Sequence, residues 1–265
     1  NVQAHNNLGN ALNELNRFEE AITHYNKAIE LKPDYPEAHY NLGIVLNEVK
    51  RYEEAITHYD KAIELKPDYP EAHNNLGNTL HEIGRFEDAV SQYHAALKLK
   101  PEYASAYSNL GDNLGRLRRF SESLFFYKKA INIIPYNAKS YLNMATTQQK
   151  SGKIFEAVSN FTKASILKPG YGEALNALAG LFVQLDIHQP EKVKFFESTK
   201  SLLGSDISPL LLCYKLISQF VDGHLEDTKT TQLALDDLYL HKMGELTSSQ
   251  NTFCTAYNLT IKNLL

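Results

Sequence analysis

The sequence predicts an all-α fold, an α-solenoid in which helix-turn-helix hairpins stack one on the next. Three observations predict it. The stretches 19–39 and 53–73 are the same sequence except for Asn26 against Asp60, and they lie 34 residues apart. The same spacing of 34 separates Pro33, Pro67, Pro101, Pro135 and Pro169. Within each period, apolar and small residues recur at three- and four-residue steps in two stretches of helical length. One hairpin of this size cannot bury its apolar face alone, so neighbours must stack to close a core.

In the first period, helices are expected over residues 2–15 and 18–31, with Asn16-Arg17 as the tight connection. Gly84 and Gly152 occupy later versions of that connection. Pro33 stops the second helix, and Pro36 sits where the next helix begins, a position proline tolerates. Gly9, Ala21 and Ala28 are small where two helices must approach closely. Clear units are expected at 2–35, 36–69, 70–103, 104–137 and 138–171. The fourth departs with Ser123 at an alanine position, and the fifth with Gln148 where an apolar residue belongs. A degenerate sixth unit is expected at 172–203, its second stretch restarting at Pro190. Residues 204–265 read as a degenerate seventh unit with a helical cap, or as the bridge to a further domain. There Leu212, Cys213 and Leu216 return to register, and Phe253, Tyr257, Ile261 and Leu264 form an amphipathic stripe. The array begins in register at a unit boundary, which suggests a fragment of a longer protein.

Composition narrows the function. Hydrophobic residues make up 43% and charged residues 22% of the chain, as in water-soluble globular proteins. The net charge of -4 argues against a duplex-binding protein, which needs a basic face. Arg116, Arg118 and Arg119 are too small a cluster to supply one. No stretch approaches the roughly 18 apolar residues that a membrane span requires. Cys213 and Cys254 form no metal-ligand spacing, and two scattered thiols fit a reducing, cytoplasmic setting.

The dipeptides Leu8-Gly9, Leu42-Gly43, Leu76-Gly77 and Leu110-Gly111 keep the same spacing, followed by Met144-Ala145 and Leu178-Ala179. Together with Leu12, Ala21, Tyr25, Ala28 and Pro33, this unit resembles the tetratricopeptide repeat. The resemblance covers 2–169 strongly and about 172–203 weakly. It implies a right-handed superhelix, a concave groove lined by the first helices of the hairpins, and protein or peptide binding.

At 100° per residue, unit positions 4, 7, 8 and 11 of a first helix share the core face. Positions 2, 5, 6, 9, 12 and 13 share the opposite face, which the resemblance makes the groove. Position 6 is Asn7, Asn41, Asn75, Asn109 and Asn143, and Ala177 breaks the row. Position 9 adds Asn10 and Asn78. A carboxamide donates and accepts at once, so a row of them suits an extended peptide backbone. Trimming these amides is expected to leave stability nearly unchanged. The row resembles the asparagine ladder in the repeat arrays of O-linked N-acetylglucosamine transferases, which implies the recognition arm of a protein glycosyltransferase. The groove reads as acidic at Glu14, Glu37, Glu48, Glu71 and Glu82. It turns basic at Arg116, Lys139 and Lys150, with Asp112 opposing them. A carboxylate clamp of the chaperone-binding kind is disfavoured, because position 5 offers Asn6, Tyr40 and Asn74 rather than cations.

His5, His39 and His73 recur at position 4 and read as packing residues, while His24 and His58 read as ordinary surface residues. Regularly spaced single histidines do not converge on one metal, so no metal or other cofactor is expected. His81-Glu82 lacks the second histidine of a zinc-protease motif, and no phosphate-cradling loop or nucleophile elbow occurs. The segment is therefore expected to be no enzyme. Its expected partner is a protein or an extended peptide, not nucleic acid and not a membrane. The competing expectation is a scaffold for a multiprotein or homo-oligomeric assembly.

Overall fold

A computed structural model of the chain describes residues 1–168, 171–174, 177 and 181. Every regular element among the described residues is helical. In order these are α1 (Val2–Glu14), α2 (Phe18–Leu31), α3 (Pro36–Glu48), α4 (Tyr52–Leu65), α5 (Pro70–Glu82), α6 (Phe86–Leu99), α7 (Ala104–Arg116), α8 (Phe120–Ile133), α9 (Ala138–Lys150) and α10 (Ile154–Leu167). They fall into two compact units, Asn1–Pro135 and Tyr136–Leu265, each taken by itself. Of the sixth repeat expected at 172–203, residues 172–174, 177 and 181 are helical. Its remainder, and the seventh repeat with its cap over 204–265, lie outside the described residues.

Local chemistry sets the helix ends. Pro36 and Pro70 stand at the first position of α3 and α5, where the missing N–H costs nothing. The paired acids Glu19-Glu20, Glu53-Glu54 and Glu87-Asp88 occupy the first turns of α2, α4 and α6, matching the positive end of the helix dipole. Lys32 ends α2 at φ -148° and ψ 91°, because the residue before a proline is forced out of the helical region. The turn inside each hairpin needs one left-handed residue. Gly84 and Gly152 meet it at φ 80° and 79° without strain, whereas Asn16, Lys50 and Arg118 adopt it at 57°, 62° and 59°.

In the first unit each helix packs on the next, from α1 to α8, and α1, α3, α5 and α7 also touch in succession. The core repeats one wedge. Tyr25, Tyr59, Tyr93 and Tyr127 are among the largest fully buried side chains. Each ring lies flat against the glycine of its own first helix. A Cβ at Gly9, Gly43, Gly77 or Gly111 would stand 2.6, 2.7, 2.7 or 3.0 Å from the ring's Cε1. The glycine at this place is thus required by the ring, and Ala21, Ala28, Ala55 and Ala62 pack with no exposure for the same reason of close approach. Ser123 fits the alanine position because its hydroxyl donates to the Gly111 carbonyl at 2.6 Å. In the second unit α9 and α10 form one hairpin with Phe161 in the tyrosine's place. The buried Gln148 there is satisfied by Asn160, whose Nδ2 donates to Gln148 Oε1 at 2.8 Å.

Candidate functional site

A first helix inside the stack meets its own partner, the preceding hairpin and the first helix of the next hairpin. This changes the face expected for the groove. Position 5 does not face it: Asn6 and Asn74 are each only 4% exposed. Position 10 is also enclosed, since Val45, Thr79 and Asn113 have no exposure at all. What remains at least partly open on the first helices is a narrower strip at positions 2, 6, 9, 12 and 13.

The position-6 amides are engaged between hairpins. Asn41 Nδ2 donates to Asn6 Oδ1 at 3.2 Å and to Asn10 Oδ1 at 3.0 Å. Asn75 Nδ2 donates to Tyr40 Oη at 3.0 Å, and Asn109 Nδ2 to Asn74 Oδ1 at 3.1 Å. Each therefore reaches back to position 5 of the preceding hairpin. Asn7 has no preceding hairpin in the described stack and is exposed, bonded only to Gln3 at 3.4 Å. Asn143 is half-buried on α9. Asn10 and Asn78 serve the core wedge, accepting from Tyr25 Oη at 2.8 Å and from Tyr93 Oη at 2.9 Å. Within the row, Asn41 thus spends both of its N–H donors inside the protein, and Asn75 and Asn109 spend one each. Trimming Asn41 or Asn109 would leave a buried acceptor, the Asn6 or the Asn74 oxygen, without that donor.

Further polar ties lie beside the row, and sequence reading passed over them. Thr79 donates to Asn47 Oδ1 at 2.8 Å. Asn113 donates to the Phe86 carbonyl at 2.7 Å, and its Oδ1 lies 2.8 Å from His81 Nδ1. Burial pushes the Tyr40 hydroxyl up to about 12, helped by Tyr103 and Glu71 and opposed by the Asn75 bond. Burial likewise raises Tyr25 to about 12, with Glu14 adding to it. Both hydroxyls stay neutral at physiological pH and act as hydrogen-bonding groups.

The charges divide into paired and unpaired. Glu37 and Glu71 are held by Lys66 at 3.6 Å and Lys100 at 3.0 Å, lysines that also lie over the Tyr69 and Tyr103 rings. Glu14, Glu48 and Glu82, at position 13 of α1, α3 and α5, are exposed and make no ion pair among the described residues. At the same position of α7 stands the exposed Arg116. Asp112 faces His81 at 3.4 Å rather than Arg116. In the second unit Lys139 and Lys150 are exposed on α9.

His24 and His58 are not ordinary surface residues. Their Nδ1 atoms lie 3.0 Å from those of His5 and His39. Among the described residues no group of three or more His, Cys, Asp or Glu is placed to hold a metal ion. No described helix is long and apolar enough to cross a membrane.

A family model described as the TPR repeat matches residues 9–50, 45–84 and 77–117, and one described as the tetratricopeptide repeat matches 104–137. Among solved structures, the chain is similar to MamA, with 26% identity, a TM-score of 0.57, and coverage of 60% of this chain and 94% of that one. It is similar to YrrB, described as a TPR protein with an unusual peptide-binding site, at 24% identity and a TM-score of 0.57, covering 67% of this chain and 91% of that one. It is similar also to pilF of Pseudomonas aeruginosa, at 21% identity and a TM-score of 0.62, covering 76% and 90%. The last two likenesses show the fold alone. No curated protein sequence matches the chain.

Proposed function

This chain belongs to the tetratricopeptide-repeat family, and from that premise we propose that it is a non-catalytic protein-binding module. Its first-helix strip along α1, α3, α5 and α7 would take an extended polypeptide with basic residues. The observation that carries this reading is the line of Glu14, Glu48 and Glu82. Three exposed carboxylates repeat at one position of successive helices while the acids beside them, Glu37 and Glu71, are already neutralised. Charges placed at repeat spacing favour a ligand that runs along the stack. They attract it at range and set its register more than its affinity. The row of asparagines contributes less than an open ladder would. Asn41 directs both Nδ2 hydrogens into the protein and offers a peptide its carbonyl oxygen, whereas Asn75 and Asn109 each spend one N–H inside and keep the other. YrrB, of the same fold, is described as carrying a peptide-binding site. The finer idea of a glycosyltransferase arm rests on the resemblance of the asparagine row. The negative net charge disfavours nucleic acid as the partner. The test is an array of extended peptides of varied charge probed at two salt concentrations. Retained peptides should be rich in Lys and Arg, and raising the salt should weaken them because screening acts over about 8–10 Å. An array without charge preference would overturn the reading.

A second reading, assembly, has its own observation. Leu8 on α1 is 45% exposed and Leu15 at its C-terminal end 65%, whereas Leu42 and Leu76, the counterparts of Leu8, are buried beneath a preceding hairpin. That edge suits end-on docking of another helical hairpin. Concentration-dependent sedimentation that Leu8→Glu abolishes would favour it over the peptide groove.

A further inference from the structure

In each of the first three hairpins, position 4 of the first helix meets a polar residue 19 places on in the second helix, a place that the fourth hairpin fills with the ring pair Tyr107 and Phe126. The pairs are His5 with His24, His39 with His58, and His73 with Gln92. In the two histidine pairs the Nδ1 atoms are 3.0 Å apart, while the ring centroids are 5.2 and 5.3 Å apart. The centroid distance is close to the nitrogen gap plus the two ring radii. The nitrogens therefore point at each other nearly head-on, the geometry of an N–H···N bond. One ring must donate and the other must accept with its lone pair.

The second pair fixes which. His39 Nε2 lies 3.1 Å from the Pro33 carbonyl oxygen, which can only accept. Neutral His39 therefore carries its hydrogen on Nε2 and presents a bare Nδ1, and His58 donates to it. The result is a directed chain from α4 through α3 to the loop that ends the first hairpin. In the third hairpin the partner is an amide oxygen, Gln92 Oε1, 2.8 Å from His73 Nδ1. An imidazole donates to such an oxygen whether it is neutral or charged.

We propose that the His39–His58 pair is an acid-sensitive latch within the second hairpin, tied through His39 to the end of the first, and that the His73–Gln92 contact is its acid-insensitive counterpart in the third. Charging both rings would set two N–H groups against each other and would take away the acceptor that the chain needs. The charged groups facing the pair lie on α4: Glu54 beside His58, and Lys61 and Glu64 beside His39. The α2 side presents the Pro33 carbonyl. Burial lowers the proton affinity of both rings, and that of His58 falls to about 4, with the His39 charge adding to the effect. A released ring titrates near ~6.5. The folded value lies below the unfolded one, so the latch is at full strength above about 6.5 and weakens as the pH falls toward about 4. Acid then favours the opened state, whose free rings take up protons.

Hydrogen exchange of the whole chain, resolved by segment and corrected for intrinsic rates, tests this at pH 7 and pH 5. The ratio of opening in α3–α4 to opening in α5–α6 should rise by about tenfold or more at the lower pH, since one pKa unit corresponds to a factor of ten. His58→Gln, which copies the third hairpin's pair, should remove that rise. Gln92→His should confer it on α5–α6, and this variant carries the test by itself if His58→Gln does not fold. Equal acid responses of the two hairpins in the unaltered protein would overturn the proposal. So would a response that His58→Gln leaves intact and Gln92→His does not move.

Discussion

The second and third hairpins are built on the same frame, yet several of the polar contacts they make with their neighbours differ. Both set a fully buried tyrosine against a glycine, Tyr59 on Gly43 and Tyr93 on Gly77, with the same clearance. Around that shared wedge the partners change. Tyr93 Oη donates to Asn78 of its own hairpin, while Ile44 at the matching place of the second hairpin offers no acceptor. The polar neighbour that acts on the Tyr59 hydroxyl is instead Thr79 of the next hairpin, which opposes the rise that burial causes. Position 5 is a half-buried tyrosine in one and a buried asparagine in the other, and both serve as acceptors for the amide that follows. The apolar wedge is a property of the repeat, whereas the polar ties belong to each junction separately.

The sharpest way to break this comparison is at the glycines. Gly43→Leu and Gly77→Leu should each be among the most destabilising single changes, because the new side chain must displace a ring with no free volume behind it. Overpacking of this kind costs ~1–3 kcal/mol or more, and the two losses should be alike in chemical denaturation. A clear difference between them would show that the wedge is not equivalent in the two hairpins.

The asparagines sharpen the other half of the comparison. Asn41→Ala leaves the buried Asn6 oxygen without its donor and should cost about 1–3 kcal/mol. Asn7→Ala at the same repeat position is exposed and should stay within about 0.5 kcal/mol of the unaltered protein. Equal melting curves for the two variants would remove the inter-hairpin role assigned to Asn41.

Much of the fold was legible because the period is strict. Prolines at fixed spacing mark every second-helix end, and α1 and α2 fall within a residue of the stretches read from the sequence. The face of the first helix was less legible. A helical wheel assumes one buried side, whereas a first helix also meets the first helix of the next hairpin, so Asn6 and Asn74, which Asn41 and Asn109 contact, were placed on the open side when they are enclosed. The histidine pairs were missed because His24 and His58 follow their partners by 19 residues, across the turn. The signal was present, since His5 with His24 and His39 with His58 recur together in near-identical repeats. The left-handed turn was visible where glycine marks it, at Gly84 and Gly152, but not at Lys50 or Arg118, where an ordinary residue accepts the strain.

The central claim is that the first-helix strip, through its unpaired carboxylates, takes a basic extended polypeptide. Two triple variants with the same change in net charge test it most directly: Glu14→Gln, Glu48→Gln, Glu82→Gln on the first helices, and Glu19→Gln, Glu53→Gln, Glu87→Gln on the second. Titration of one Lys-rich extended peptide against both, at fixed low salt, separates local from global attraction. The first variant should bind more weakly by roughly tenfold, about 1.4 kcal/mol, with a shallower dependence on salt, while the second stays near the unaltered affinity. Equal weakening in both, or weakening in the second alone, would contradict the assignment of the binding surface.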